Sequence, residues 1–259
     1  MSWTVNSIPN QEGRNILITG ANSGLGFDTA KALLAKGATV ILGCRTIYKA
    51  IKARNDLRKE TKDGHIELIQ IDLSDLSEIE IAGNKISENF RNLDILVNNA
   101  GVMAPPRTYS KQGFEIQFAV NHLSHMALTL KLLPILTKQK DGRVVTVTSG
   151  AQYFGKICWD NLHGEKSYNR WDSYSQSKLA NVMFSIELNL RLKKANLNLS
   201  SLSAHPGLAR TNLQQKSVAA NNSWQEDIAY KLMSPLFQNS TRGALPQLFA
   251  ATDLKALGG

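Results

Sequence analysis

Short runs of apolar residues alternate along the chain with longer stretches in which apolar positions recur at helical spacing, the pattern of buried strands feeding amphipathic helices. NILIT (15–19), TVILG (39–43), IELIQI (66–71), LDILV (93–97), RVVTVTS (143–149) and LNLSSLSA (197–204) read as strands. Between them a helix runs through FDTAKALLAKG and stops at Gly37. A Lys- and Arg-rich helix covers 47–59, and Ser74 or Asp75 caps a third that ends near residue 90. A long helix is expected over 114–136, with Pro134 kinking or ending it, and another carries Tyr174 and Lys178 to about residue 194. Residues 150–169 read as irregular, and beyond Pro206 the pattern gives loop, short helices and a last helix near 242–251. No linker or shift of composition interrupts this alternation. The expectation is one α/β domain over 1–259, a doubly wound parallel sheet with helices on both faces.

Composition adds limits. The 259 residues are 42% hydrophobic, enough for a substantial core. Lys and Arg number 30 against 21 Asp and Glu, a net charge of +9 that suits an anionic membrane, nucleic acid or an anionic small ligand. The basic residues are scattered, with no zinc-finger spacing or RNA-binding signature, so nucleic acid is not an expected partner. Cys44 and Cys158 sit in no CxxC and make no disulfide framework, which suits a reducing cytoplasm. His122 and His125 form an HxxH, but no carboxylate or cysteine nearby completes a metal set, so both read as structural and no metal is expected. The first residues lack the apolar run of a signal peptide, and nowhere do 18 apolar residues follow one another, so a soluble, cytoplasmic protein without a membrane span is expected.

Three local patterns carry chemistry. TGANSGLG (19–26) stands between the first strand and the first helix, with Gly20, Gly24 and Gly26 around Asn22, Ser23 and Leu25. Glycines there let the backbone turn sharply and approach a pyrophosphate, whose charge the helix N-terminus welcomes. The spacing is GxxxGxG rather than the GxGxxG of the usual dinucleotide fingerprint. At the end of the second strand, where an NAD-selective Rossmann domain places a carboxylate against the ribose, this chain has Gly43, Cys44 and Arg45. Arg45 would attract a 2'-phosphate, which favours NADP(H) over NAD(H); a solvated loop cation is the alternative. Finally, Tyr174 and Lys178 lie four apart on one helix face, where the ammonium would favour the phenolate and lower the tyrosine pKa. Tyr48 and Lys52 share that spacing, and a plain solvated face is the ordinary reading of such a pair.

With NNAG (98–101), VNHLSHM around Asn121, VTVTSG containing Ser149, and HPGLART (205–211), these motifs follow one another in the order of the short-chain dehydrogenase/reductase family, and nearly the whole chain resembles it. The resemblance implies an NADP(H)-dependent oxidoreductase that transfers a hydride between nicotinamide and a carbonyl or alcohol. Tyr174 would be the general acid, or the base in alcohol oxidation. Lys178 would lower its pKa and bind the nicotinamide ribose, Ser149 would hold the substrate oxygen, and Asn121 would support a water relay to Lys178. Asp72, with Leu73 beside it, looks like the adenine contact. Asn98, Ala100 and Gly101 would line the cofactor cleft, and Pro206, Gly207 and Thr211 would meet the cofactor's carboxamide or pyrophosphate end. Tyr48 falls in the second helix, beside the adenine half, and is the decoy. Singly, each has a plain alternative: Ser149 a strand-end cap, Asn121 a helix-interior amide, Asp72 a turn former, Thr211 a loop hydroxyl.

The stretch between Ser149 and Tyr174 resembles the insertion of the retinol dehydrogenase-like and WW-domain oxidoreductase-like branch, and light-dependent protochlorophyllide reductase, a near relative, is the alternative function within the enzyme class. In that photoreductase NNAG would usually end in Ala, and YSQSK would be YKDSK. Cys158 lies in the insertion and reads as a packing or loop thiol. An N-terminal membrane anchor of the kind many animal retinol dehydrogenases carry is not expected, and a generic lipophilic carbonyl or alcohol is expected as substrate. Residues 205–240 are expected to form the substrate lid. Relatives continue past the final Gly258 and Gly259 into a seventh strand, so a sheet lacking its last strand and a pocket less fully closed are expected. The resemblance implies a homodimer or homotetramer. Outside the enzyme class, the alternative is a non-catalytic NADP(H)-binding sensor, which would need only the glycine turn and Arg45.

Overall fold

The computed structural model describes residues 3–207 and 238–258. Its strands are β1 (Asn15–Thr19), β2 (Thr39–Cys44), β3 (His65–Gln70), β4 (Ile95–Asn98), β5 (Gly142–Val147) and β6 (Leu199–Ala204). They form one parallel sheet in the order β3-β2-β1-β4-β5-β6. The helices are α1 (Gly24–Leu34), α2 (Ile47–Glu60), α3 (Leu76–Asn89), α4 (Ile116–Phe118), α5 (Ser124–Leu136), α6 (Arg170–Lys194), α7 (Ser240–Gly243) and α8 (Leu245–Thr252). This is the doubly wound α/β fold read from the sequence, and β6 is the outer strand among the described residues.

Alternation within the strands feeds two cores. Ile16 and Ile18 of β1 pack with Leu33, Leu57 and Leu248 from α1, α2 and α8. Leu17, between them, faces Ile79, Leu128 and Leu188 from α3, α5 and α6. Burying each such side chain contributes about 1.5–3 kcal/mol. Because both faces are covered, the inner strands β1, β2, β4 and β5 read as mostly apolar runs.

Two predicted helices are divided. The one expected over 114–136 begins as α4, passes through a π turn at Ala119–Leu123, and resumes as α5. Pro134 is accommodated inside α5, and the break lies elsewhere, where Asn121 is bonded to Val102 and Ser177. The helix expected near 242–251 is two pieces, and Pro246 stands in the first turn of the second, a position where its missing N–H costs nothing.

The order of the sheet reverses between β1 and β4, which opens a crevice at the C-terminal strand ends. The glycine turn after β1 and the NNAG segment after β4 meet there. Residues 208–237, most of the expected lid, lie outside the described residues, as does Thr211.

Candidate active site

Sterics dictate the glycine turn. Gly20 has φ 67° and donates its N–H to the Gly43 carbonyl at 2.7 Å, and a Cβ on it would stand 3.0 Å from Ala100 Cα. On Gly26 a Cβ would come within 2.5 Å of Asn99 Nδ2 and 2.7 Å of the Gly20 carbonyl oxygen. The helix that follows starts without help from a side chain. Its N-cap, Ser23, makes no capping hydrogen bond, whereas Asp75 caps α3 and Asn169 caps α6. A close backbone cradle with an uncapped helix end suits an anion such as a dinucleotide pyrophosphate.

The two asparagines of NNAG part company at the end of β4. Asn98 was expected to line the cleft. It is instead buried in the scaffold, with Nδ2 donating to Thr129 Oγ1 at 3.0 Å and, more weakly, to Thr146 Oγ1 at 3.5 Å. Asn99 holds the glycine turn, its Nδ2 donating to the Thr19 carbonyl at 2.8 Å and its N–H to Thr19 Oγ1 at 3.0 Å. The motif shows two adjacent amides; which one turns inward depends on where the strand stops.

Four predicted catalytic residues gather at the ends of β4 and β5. Ser149 caps the 3₁₀ turn Gly150–Phe154, its Oγ accepting the Ala151 N–H at 3.3 Å. Tyr174 and Lys178 are one turn apart on α6, both nearly fully buried, with Lys178 Nζ 5.8 Å from the centre of the Tyr174 ring. Lys178 Nζ donates to the Val147 carbonyl at 3.1 Å. Asn121 is fully buried in the π turn, and its Nδ2 donates to Ser177 Oγ at 2.9 Å and to the Val102 carbonyl at 3.0 Å. Gly101 completes the cluster: a Cβ there would lie 3.1 Å from Asn121 Oδ1 and 3.7 Å from Lys178 Nζ.

The electrostatics correct one expectation. Burial pushes the Tyr174 phenol up, against a smaller downward pull from hydrogen bonding by Ser149, and no lowering by Lys178 accompanies it. Burial also pulls Lys178 down to about 8. Inside the protein the cost of desolvating either ion outweighs the benefit of setting an ammonium near a phenol.

The remaining predicted residues are placed as follows. Arg45 is exposed between β2 and α2, whose N-cap Thr46 makes no side-chain bond. Asp72 Oδ1 accepts both the N–H of Ser74, at 2.9 Å, and its hydroxyl, at 2.7 Å, so the carboxylate shapes the turn after β3. The Leu73 carbonyl accepts the Ser124 hydroxyl at 2.7 Å. After β6, Gln238 Nε2 donates to the Pro206 carbonyl at 2.7 Å, and Gly207 has φ 67°. Tyr48 is 75% exposed, and its neighbour Lys52 pairs with Asp56, as a decoy would.

His125 bridges the site: Nδ1 meets the Asn121 carbonyl at 3.0 Å, and Nε2 meets Thr19 Oγ1 at 2.9 Å. Full burial lowers its pKa to about 4, so it is neutral, and the carbonyl partner assigns its proton to Nδ1. His122 meets Asn181 Oδ1 at 3.3 Å, and no cluster of His, Cys, Asp or Glu among the described residues could hold a metal. Cys158 is a half-buried loop residue whose N–H donates to Gln176 Oε1 at 2.8 Å. No helix among the described residues is long and apolar enough to cross a membrane.

Sequence reasoning missed a polar network beside this cluster. Tyr168, in the insertion, donates its hydroxyl to the buried Glu115 at 3.1 Å and accepts from Gln117 Nε2 at 3.2 Å. An amide in the middle of EIQFAVN was the available signal.

A family model described as short chain dehydrogenase matches residues 14–222. Retinol dehydrogenase 14 of Mus musculus is 42% identical over 211 residues, which cover 78% of this chain and 63% of that protein, less than two thirds of its length. The crystal structure of an uncharacterised protein from Mycobacterium paratuberculosis superposes with a TM-score of 0.78 at 38% identity, covering 98% of this chain and 81% of that one. A short chain dehydrogenase from Shigella flexneri, complexed with NADP, superposes with a TM-score of 0.72 at 21% identity over 96% and 95% of the two chains, a likeness of fold.

Proposed function

Because the chain belongs to the short chain dehydrogenase family, we propose that it is an NADP(H)-dependent oxidoreductase acting on a lipophilic carbonyl or alcohol. The observation that carries this reading is the convergence of the half-buried Ser149 with the buried Tyr174, Lys178 and Asn121 at the C-terminal ends of β4 and β5.

The backbone of Asn22, Ser23, Gly24 and Leu25 would hold the pyrophosphate, the uncapped start of α1 supplying donors. Arg45 would meet the 2'-phosphate. Lys178 would bind the nicotinamide ribose, with Ala100, Gly101, Pro206, Gly207 and Thr211 along the remainder of the dinucleotide. Asp72 and Leu73 would bound the adenine side. When bound, the nicotinamide supplies or accepts the hydride.

Everything else is work for the protein's own groups. Ser149 and Tyr174 hold the substrate oxygen between two hydroxyls, and Tyr174 passes its proton to that oxygen as negative charge develops there. A phenol held above its ordinary pKa by burial stays protonated at neutral pH, the state in which it can give its proton to a carbonyl oxygen. Asn121 and Lys178 stand close on either side of Gly101, where a side chain would crowd both. The lipophilic substrate class rests on the likeness to a retinol dehydrogenase and on the exposed Tyr153 and Phe154, which follow Ser149 in the insertion.

The reading is tested by incubating the protein with NADPH or NADH and a panel of aldehydes and ketones that includes all-trans-retinal. Oxidation of NADPH by the apolar aldehydes is expected. Tight NADPH binding with no turnover on any member would favour a sensor instead.

A further inference from the structure

The glycine turn is buttressed from an unexpected direction. Gln247 of α8 is only 2% exposed, and its Nε2 reaches two acceptors far away in sequence: Thr29 Oγ1 on α1, and Asn99 Oδ1 at 3.4 Å. Both acceptors in turn hold the cradle. Thr29 gives its hydroxyl proton to the Leu25 carbonyl at 2.7 Å, in the first turn of α1. Asn99 donates to the Thr19 carbonyl at 2.8 Å, and its Nδ2 fills the place a Cβ on Gly26 would take.

The direction of each bond is fixed by exclusion. The Thr29 proton goes to the Leu25 carbonyl, and the Asn99 Nδ2 bond to the Thr19 carbonyl fixes which end of that amide is the oxygen, so Thr29 Oγ1 and Asn99 Oδ1 accept from Gln247. This orientation leaves Gln247 Oε1 buried without a partner among the described residues. An unmet buried acceptor is a cost to folding that an apolar side chain of the same length would not incur. Nor does α8 need the amide to dock, because Leu248 and Ala251 pack into the core and Arg143 Nη1 donates to the Ala250 carbonyl at 2.8 Å.

We propose that Gln247 is a positioning residue for the dinucleotide-binding turn: it fixes Asn99 and Thr29, and through them the backbone that meets the pyrophosphate, at some expense in stability. This rests on the reading of that turn as the NADP(H) site. A purely structural residue would be served at least as well by methionine.

The test is NADPH titration, followed by nucleotide fluorescence, together with thermal melting of the full chain as wild type, Gln247→Met, Thr29→Val and the double variant. Losing one orienting hydrogen bond should raise the NADPH Kd of Gln247→Met about threefold to tenfold, without lowering the melting temperature. Thr29→Val should weaken binding similarly, and the double variant should lose less than the sum of the two singles, because both remove the Gln247–Thr29 contact while each also removes one of its own. If Gln247→Met binds NADPH as wild type does, or loses affinity only in step with stability, the proposal is wrong. If Gln247→Met fails to fold, a Thr29→Val protein that folds and binds NADPH like wild type overturns it equally, and one that binds more weakly at unchanged stability upholds it. Should wild type itself not bind NADPH, the reading of the turn falls, and this proposal with it.

Discussion

Asn121 holds Val102 as one peptide group holds another: Oδ1 accepts the Val102 N–H at 2.8 Å, and Nδ2 donates to the Val102 carbonyl at 3.0 Å. A turn earlier, Gln117 Oε1 accepts the Ala104 N–H at 2.7 Å, while Arg170 Nη1 donates to the Ala104 carbonyl at 2.7 Å. Ala104 has φ 43°, a conformation that residues with a Cβ avoid. The segment after NNAG is therefore imposed by side chains from α4, the π turn and α6, and ties the cofactor crevice to the insertion.

Gln117→Leu should be markedly destabilising. It strips the partner from the buried Ala104 N–H and removes a donor from the Tyr168 hydroxyl and the Arg170 carbonyl. Unmet buried groups of this kind cost about 1–3 kcal/mol, and urea unfolding of wild type and variant measures the difference.

Gly26→Ala should abolish tight NADPH binding. Its methyl would collide with Asn99 Nδ2 and, less avoidably, with the Gly20 backbone carbonyl, so the turn must widen. Overpacking of this sort costs about 1–3 kcal/mol, and calorimetric titration with NADPH should show affinity falling by more than tenfold.

Arg45→Ser should alter cofactor choice and little else. The side chain is exposed, so stability should stay within about 0.5 kcal/mol. Loss of a charged hydrogen bond to the 2'-phosphate should weaken NADPH by about tenfold to a hundredfold and leave NADH unchanged. Equal loss for both nucleotides would remove Arg45 from the proposed site.

Stability should fall with acid between about pH 6.5 and 4. The unfolded chain protonates His125 near its ordinary pKa of 6.5, while burial holds the folded imidazole neutral down to about 4. Across that window the unfolded state binds more protons, so stability is lost as pH drops, by at most about 3 kcal/mol. His122 is pushed the same way by burial. Urea unfolding at pH 7.5, 6 and 5 should show the decline, and His125→Gln should flatten it.

The inner strands β1, β2, β4 and β5 were legible because they are buried on both faces, so apolar runs such as NILIT survive, whereas the edge strand β3 showed as the alternation IELIQI. The break at Ala119–Leu123 was not, because it accompanies bonds from Asn121 to Val102 and to Ser177, 56 residues on. Motif order brings Ser149, Asn121, Tyr174 and Lys178 forward as candidates, but the direction of the tyrosine's pKa shift was not legible, since it comes from burial that tertiary packing creates. Gln247 was invisible for a related reason: its partners lie 148 and 218 residues away.

The decisive comparison is the rate of hydride transfer to an apolar aldehyde in a single turnover, wild type against Tyr174→Phe, with NADPH affinity measured alongside. Loss of a positioned acid should slow the step by about a hundredfold to ten-thousandfold, with the NADPH Kd within about twofold of wild type. Hydride transfer by Tyr174→Phe at the wild-type rate would contradict the assignment of the Tyr174 hydroxyl as proton donor, and with it the mechanism proposed for this site.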